Sequence, residues 1–172
     1  MKRYSLSLRF DPRGWSETYE EEKNNLLYFL SGFQVGVKHI GATSYAGGMS
    51  NRNVDILIAT QTMQDISSIQ VRLQSKGYKL VDSTLPGLST LVGPKKVNGY
   101  GITVRVMEYA SMIYNRFNAF ETLMKENQDR VTRYNEYREE ISLRCGPDFQ
   151  KYQELKLNYI NGLIDEKFKF EY

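Results

Sequence analysis

The segment Val54-Asp55-Ile56-Leu57-Ile58-Ala59 constrains the fold more than any other stretch of the chain. Side chains of a strand alternate between two faces, so a near-continuous apolar run makes a strand covered on both. Such a strand is central in a sheet and needs packed elements above and below it. The run is also the longest clean apolar one, and it falls far short of the ~20 residues of a membrane span. No membrane partner is expected. One acid interrupts it. A carboxylate in such a strand is costly unless it is paired or opens on a cleft, which makes Asp55 the most informative single residue.

The flanking segments read as a small α/β unit. Tyr4, Leu6, Leu8 and Phe10 alternate with polar residues, as in a strand or extended arm. Asp11-Pro12-Arg13-Gly14 reads as a turn, followed by a helix over about 16–30 with Tyr19, Lys23, Leu26, Leu27 and Leu30 on one face. A strand over 34–40 places Val35, Val37 and His39 on one side. Residues 41–52 are small, polar and Gly-rich, and read as a loop or the start of a short helix. A helix ending at Gly77 follows the central strand, and then three strands over 78–81, 88–92 and 101–107. From Ala110 onward Gly becomes sparse and Glu, Lys, Arg and Leu dominate, which predicts helices over 111–126, 128–144 and 148–167. The expected architecture is an α/β (α+β) domain: a small mixed sheet with packed helices over 1–108, then a helical part over 109–172. All 172 residues fit one domain of 20.0 kDa.

Scarcity excludes much chemistry. There is one His, His39, and one Cys, Cys145. A lone Cys makes no internal disulfide, and one of each builds no Cys/His zinc site and no two-His iron site. Cys145 reads as a small helix-end residue. The net charge of +3 is too slight for a dedicated nucleic-acid binder. Without a signal-like N-terminus, a reducing cytoplasm is the default compartment. Arg130, Arg133, Arg138 and Arg144 read as solvated helix faces, or as a groove for an anionic partner. Tyr114, Phe117, Phe120, Leu123 and Met124 have helical spacing and read as core; any exposed part would mark a homodimer surface.

Chemistry concentrates in Lys38-His39-Ile40-Gly41-Ala42-Thr43-Ser44-Tyr45-Ala46-Gly47, followed by the Asp55 strand. Gly41 lets a phosphate approach the backbone, and Thr43 and Ser44 add donors. A carboxylate on the next strand can hold Mg²⁺ against that phosphate. Polymerase-beta-type nucleotidyltransferases carry a Gly-Ser-like turn, a gap of about a dozen residues, and a strand with acids at i and i+2. Residues 43 to 54 supply the gap, but the position two residues after Asp55 is Leu57.

The ordered set Phe10-Asp11-Pro12 with Trp15, His39-Ile40-Gly41, Thr43-Ser44, Gly47, Asp55-Ile56, Gly77-Tyr78 and Tyr152-Gln153-Glu154-Leu155-Lys156 resembles the GrpB family of nucleotidyltransferase-like proteins. The resemblance spans most of the chain and implies a nucleotidyltransferase-like fold in a bacterial-type cytoplasmic protein. It implies little about activity. The chain departs from the family at the turn Ser (Ala42), the family Pro (Ala46), the Lys-Pro before the acidic strand (Asn51-Arg52), and a late-strand His-Leu-His, where Thr103 and Arg105 stand. An Arg at that point opposes divalent metal binding.

The expectation is therefore a module binding a nucleotide or another small anionic phosphate ligand on a partly degenerate nucleotidyltransferase scaffold. The alternatives are an active Mg²⁺-dependent nucleotidyltransferase and a protein-interaction module. Asp55 and His39 are the catalytic candidates. Asp55 is the metal candidate, but with Leu57 and Arg105 as they stand an ion pair with Arg105 or Arg52 is the favoured reading. Lys38, Gly41, Ala42, Thr43, Ser44, Arg52 and Arg105 are the phosphate-binding candidates. Further acids near Asp55, such as Glu108 or one from a later helix, would favour the metal reading.

Overall fold

A computed structural model describes residues 8–82 and 85–169. The first helix, α1 (Pro12–Phe29), begins four residues earlier than its periodicity suggests. The side chain of Asp11 caps it, accepting the Gly14 amide at 3.1 Å. Pro12 fits the first helical position, where its missing N–H is no loss. The Asp-Pro-Arg-Gly signal is thus a helix start rather than a free turn. Leu27 turns out of the core, and α1 buries Trp15, Thr18, Glu22 and Leu26 instead. Of the extended arm expected over 4–10, Tyr4 and Leu6 lie outside the described residues, and Arg9 pairs with Ser50 in an isolated bridge.

The sheet contains β1 (Val35–Ile40), β2 (Asn53–Thr60), β3 (Lys79–Asp82), β4 (Leu88–Val92) and β5 (Gly101–Glu108), in the order β1-β2-β5-β4-β3. Among the described residues only β2 and β5 pair in parallel. Helix α2 (Met63–Ser75) connects β2 to β3, and α3 (Met112–Glu126), α4 (Gln128–Cys145) and α5 (Phe149–Lys169) follow β5. This is the mixed α/β fold expected from the sequence, with the continuous apolar strand β2 in the sheet interior.

The two faces of the sheet have different partners. Val54, Ile56 and Ile58 of β2 join Ile102, Val104 and Val106 of β5 beneath α1 and α2, in a cluster with Trp15, Leu26, Ile69 and Leu73. On the opposite face Leu57, Ala59 and Met107 meet Ile113, Tyr114 and Phe117 of α3. Each fully buried Ile or Leu contributes roughly 1.5–3 kcal/mol relative to exposure, so β2 anchors both layers. A third cluster ties the helices together through Phe120, Leu123, Met124, Val131, Tyr134 and Ile164, and it includes Tyr45 from the loop after β1. The aromatic stripe of α3 is therefore core. Cys145 is buried at the end of α4, as its position before Gly146 suggested. Among the described residues no helix is long and apolar enough to cross a membrane.

Candidate functional site

The site lies where β1, the 41–52 loop, β2 and β5 meet α3, α4 and α5. Register sets its geometry. Ile40 lies opposite Asp55 and Lys38 opposite Leu57, so these side chains share the α3 face of the sheet. His39 lies opposite Ile56 and points to the other face. There its ring stacks on Tyr19 of α1, with centroids 4.7 Å apart, and its Nε2 lies 2.8 Å from Thr43 Oγ1. Burial lowers its pKa to about 4, against a weaker upward pull from Asp55, so the imidazole is neutral near pH 7. The two catalytic candidates thus stand on opposite faces of the sheet.

Asp55 pairs with Arg105. Asp55 aligns with Thr103 in the parallel ladder and Arg105 with Leu57, two residues further along the same face. The guanidinium reaches back, and its Nη1 lies 2.6 Å from Asp55 Oδ1. Phe117 of α3 covers the guanidinium at 5.8 Å. Arg52, the other partner considered for Asp55, is exposed, with φ +71°, and lies on the side of Tyr100 and Arg9. Glu108 sits at the far end of β5, five residues beyond Thr103, or roughly 16 Å along the strand.

The 41–44 turn opens no helix. The chain runs through successive turns to Ser50, so helix-terminal amides do not contribute there. The Gly41 amide, the Ser44 amide and hydroxyl and the Thr43 hydroxyl are already engaged. Glu121 of α3 accepts the Gly41 amide at 2.6 Å through Oε1, and its Oε2 lies 2.6 Å from Ser44 Oγ. Glu121 is only 3% exposed. Burial raises its pKa, although Ser44, the Gly41 amide, Lys125 and Lys38 all pull the other way. Lys125 stands 3.7 Å from Oε2. Lys38 Nζ donates to Asn118 Oδ1 at 2.5 Å. An internal carboxylate therefore occupies the position in which the turn would receive an anion. Ala42 packs beside the Tyr45 cluster, and its carbonyl closes on Gly48.

Helices α4 and α5 bring two more cations to the Asp55 face. Arg138 is 8% exposed, so the solvated face expected for the arginines of α4 does not include it. Its Nη1 donates to the Met49 carbonyl at 2.5 Å, its Nε to Tyr152 Oη at 3.4 Å, and Tyr134 lies under it at 5.4 Å. Lys156 Nζ lies over the Tyr152 ring at 5.9 Å. Burial, with Arg138 and Arg105 nearby, lowers its pKa to about 8 in spite of Asp55. Among the described residues Tyr45 Oη, which is buried, has no hydrogen-bond partner. Burial holds its phenol protonated, and Arg138 and Asp55 are among the charges that act on it.

Glu121 is a site residue that the sequence patterns do not single out, and Arg138 and Lys156, expected only as part of a groove for an anionic partner and of the Tyr152–Lys156 motif, join it at the site. Each did carry a signal. Glu121 lies four residues after Phe117, Arg138 four after Tyr134, and Lys156 four after Tyr152. A charge on the apolar stripe of a helix is the mark of a buried, partnered group.

A family model described as GrpB protein matches residues 8–166. The chain belongs to the GrpB family. It is 26% identical over 151 residues to UPF0157 protein SCO7215 of Streptomyces coelicolor, covering 88% of this chain and 77% of that protein. It is 27% identical over 64 residues to UPF0157 protein YqkA of Bacillus subtilis, covering 37% of this chain and 19% of YqkA, so it matches under a fifth of that relative's length. The crystal structure of the GrpB protein from Enterococcus faecalis is similar with a TM-score of 0.77 at 23% identity, over 92% of this chain and 95% of that one. A Cid1 poly(U) polymerase variant bound to MgATP is similar with a TM-score of 0.50 at 10% identity, over 72% of this chain and 41% of that one. These likenesses establish a nucleotidyltransferase-like scaffold for this GrpB-family chain.

The donor set suits a metal poorly. Asp55 offers one carboxylate already paired with Arg105, Leu57 stands two residues on, and the register-matched strand supplies Thr103 and Arg105. Among the described residues no three His, Cys, Asp or Glu side chains gather to hold a metal ion.

Proposed function

We propose that this GrpB-family protein binds a small phosphate-bearing ligand, a nucleotide being the leading candidate, on a nucleotidyltransferase scaffold with a reduced metal site. One observation carries the reading: Arg105 pairs with the carboxylate of Asp55, and Lys156 feels that same carboxylate together with the charges of Arg138 and Arg105. Gathering like charges without counter-charges is expensive in a partly buried cleft, and an anionic ligand offsets that cost. Neutral His39 and the Glu121-occupied turn contribute framework rather than charge.

Thermal unfolding with ATP, CTP, GTP or UTP, each with and without Mg²⁺, tests this. A ligand at a hundred times its Kd stabilises the fold by about 2.7 kcal/mol, which is a readable rise in Tm. Stabilisation that does not need Mg²⁺ is the expected result. Stabilisation that requires Mg²⁺ and vanishes in Asp55→Asn would instead make the protein a metal-dependent nucleotidyltransferase. No response to any nucleotide would overturn the reading and leave the interaction module.

A further inference from the structure

The fold offers two places for an anionic group beside Asp55. The first is the 41–44 turn, with its small residues and hydroxyls. The second is the wall of α4 and α5 that faces the sheet.

The turn is spoken for. The Gly41 amide and the Ser44 hydroxyl both end on Glu121, which is almost wholly buried. A phosphate there would have to displace a carboxylate held by a 2.6 Å bond from the backbone.

The helical wall has the opposite character. Arg138 is buried, and its hydrogen bonds go to neutral oxygens, the Met49 carbonyl and Tyr152 Oη. Among the described residues neither Arg138 nor Lys156 makes an ion pair. A buried guanidinium without a counter-ion is among the costlier arrangements in a protein interior. Tyr45 adds an independent sign. The residue is only 7% exposed, yet its hydroxyl finds no partner among the described residues. Unpartnered buried hydroxyls are rare and need an explanation, such as a ligand atom. Asp55 is already neutralised by Arg105. What remains on this side is two positive charges and one free donor. That matches a phosphate monoester, which carries close to two negative charges near pH 7.

We propose that the phosphate of the ligand seats between Tyr45 and Lys156, backed by the charge of Arg138, on the α4–α5 wall facing the Asp55–Arg105 pair and not on the 41–44 turn. This rests on the phosphate-binding reading above and gives it a location. It also gives the Tyr152-to-Lys156 segment a role. Tyr152 accepts from Arg138 through its hydroxyl and faces the Lys156 ammonium with its ring. Inorganic pyrophosphate and the phosphate chain of ATP share this chemistry, and both serve as probes.

The test is calorimetric titration of the full chain with inorganic pyrophosphate and, separately, with ATP. It compares wild type with Lys156→Met, Tyr45→Phe and Ser44→Ala. Loss of one charge-assisted contact weakens binding about tenfold, so Lys156→Met is expected at that level or beyond. Tyr45→Phe is expected to weaken it several-fold while its ligand-free Tm does not fall, because only an unpartnered hydroxyl is removed. Ser44→Ala is expected to bind as wild type does. Matching losses for both probes mean that the phosphate itself is recognised. The same variant pattern with ATP alone supports the location and makes the ligand a nucleotide. Binding lost in Ser44→Ala but retained in Lys156→Met and Tyr45→Phe would overturn the location and leave phosphate binding standing. Wild-type protein that binds neither probe would overturn both.

Discussion

The Glu121 carboxylate accepts the Gly41 amide at 2.6 Å and so joins α3 to the turn after β1. Its second oxygen faces Ser44 Oγ at 2.6 Å, while the same hydroxyl lies 2.8 Å from the Gly41 carbonyl. Ser44 has one hydrogen for two acceptors. Both contacts are satisfied when Glu121 carries a proton and donates to Ser44. Burial favours that state by raising the Glu121 pKa above its ordinary 4.5. Between the unfolded and folded values the native state binds more protons. The contribution of this group is therefore full below about 4.5 and is lost as pH rises through the raised folded value. Glu121→Gln keeps the acceptor for Gly41 and supplies a permanent donor to Ser44. It should remove this pH dependence and change stability at pH 7 by no more than about 1 kcal/mol. Glu121→Ala orphans the Gly41 amide and should cost about 1–3 kcal/mol. Urea unfolding between pH 4 and pH 8 measures both.

His39 gives the opposite slope. Its pKa falls from 6.5 to about 4 on folding, because its ring is stacked on Tyr19 and removed from water. The unfolded chain binds the extra proton between those values. The stability from this group is therefore present above 6.5 and lost as pH falls toward 4. The slope approaches at most about 1.4 kcal/mol per pH unit. His39→Phe keeps the stacked ring and should flatten the acid limb, even though it gives up the contact with Thr43. In the wild type the two slopes oppose each other, so the single variants separate what the parent curve conceals. A His39→Phe curve as steep as wild type below pH 6 would show that the imidazole is not the group responsible.

What could be read from the sequence was local. The 54–59 run announces an interior strand because period and apolarity act along the chain itself, and Gly146 ends α4 where the pattern stops. The start of α1 was missed because Asp11-Pro12 serves turns and helix N-termini alike. The site was harder to read. The partners of Glu121 lie 77 and 80 positions away, and Arg138 reaches Met49 across 89. No local pattern encodes such pairings, although each charge stood out against the apolar stripe of its own helix. The side of the sheet that His39 faces follows from alternation. That Asp55 would face the other side required the register between β1 and β2, which the intervening loop sets.

The Asp55–Arg105 pair should behave as a coupled unit. Both side chains are about three-quarters buried, at 27% and 25% exposure, and the contact is 2.6 Å. A pair of this kind is stronger than a surface ion pair. A double-mutant cycle with Asp55→Asn and Arg105→Met should return a coupling of about 1–3 kcal/mol. Salt should weaken it only slightly, because screening acts mainly on exposed charges. The single variants should also differ in kind. Arg105→Met leaves Asp55 beside Lys156, whereas Asp55→Asn leaves Arg105 and Lys156 without their carboxylate and should be the more destabilising. Equal costs for the two, with coupling near zero in denaturant titrations, would mean that the pair contributes little to the fold.

Gly48 should be the least replaceable residue of the loop that frames the site. A Cβ there would lie 1.8 Å from the Ala42 carbonyl oxygen and 3.0 Å from the Tyr45 ring. The first obstacle is backbone, so no rotamer change relieves it. The loop can yield only by pushing Ala42 and the turn away from β2, which would disturb the Gly41–Glu121 bond and the seat of Tyr45. Gly48→Ala should therefore cost more than about 2 kcal/mol, in the range of overpacking and backbone-strain effects. Gly99→Ala is the control. Its φ is +83° but nothing lies within 4 Å of its Cβ, so it bears only the conformational penalty of about 1–2 kcal/mol. Chemical denaturation of the two variants side by side separates close approach from backbone preference. The prediction fails if Gly48→Ala proves no less stable than Gly99→Ala.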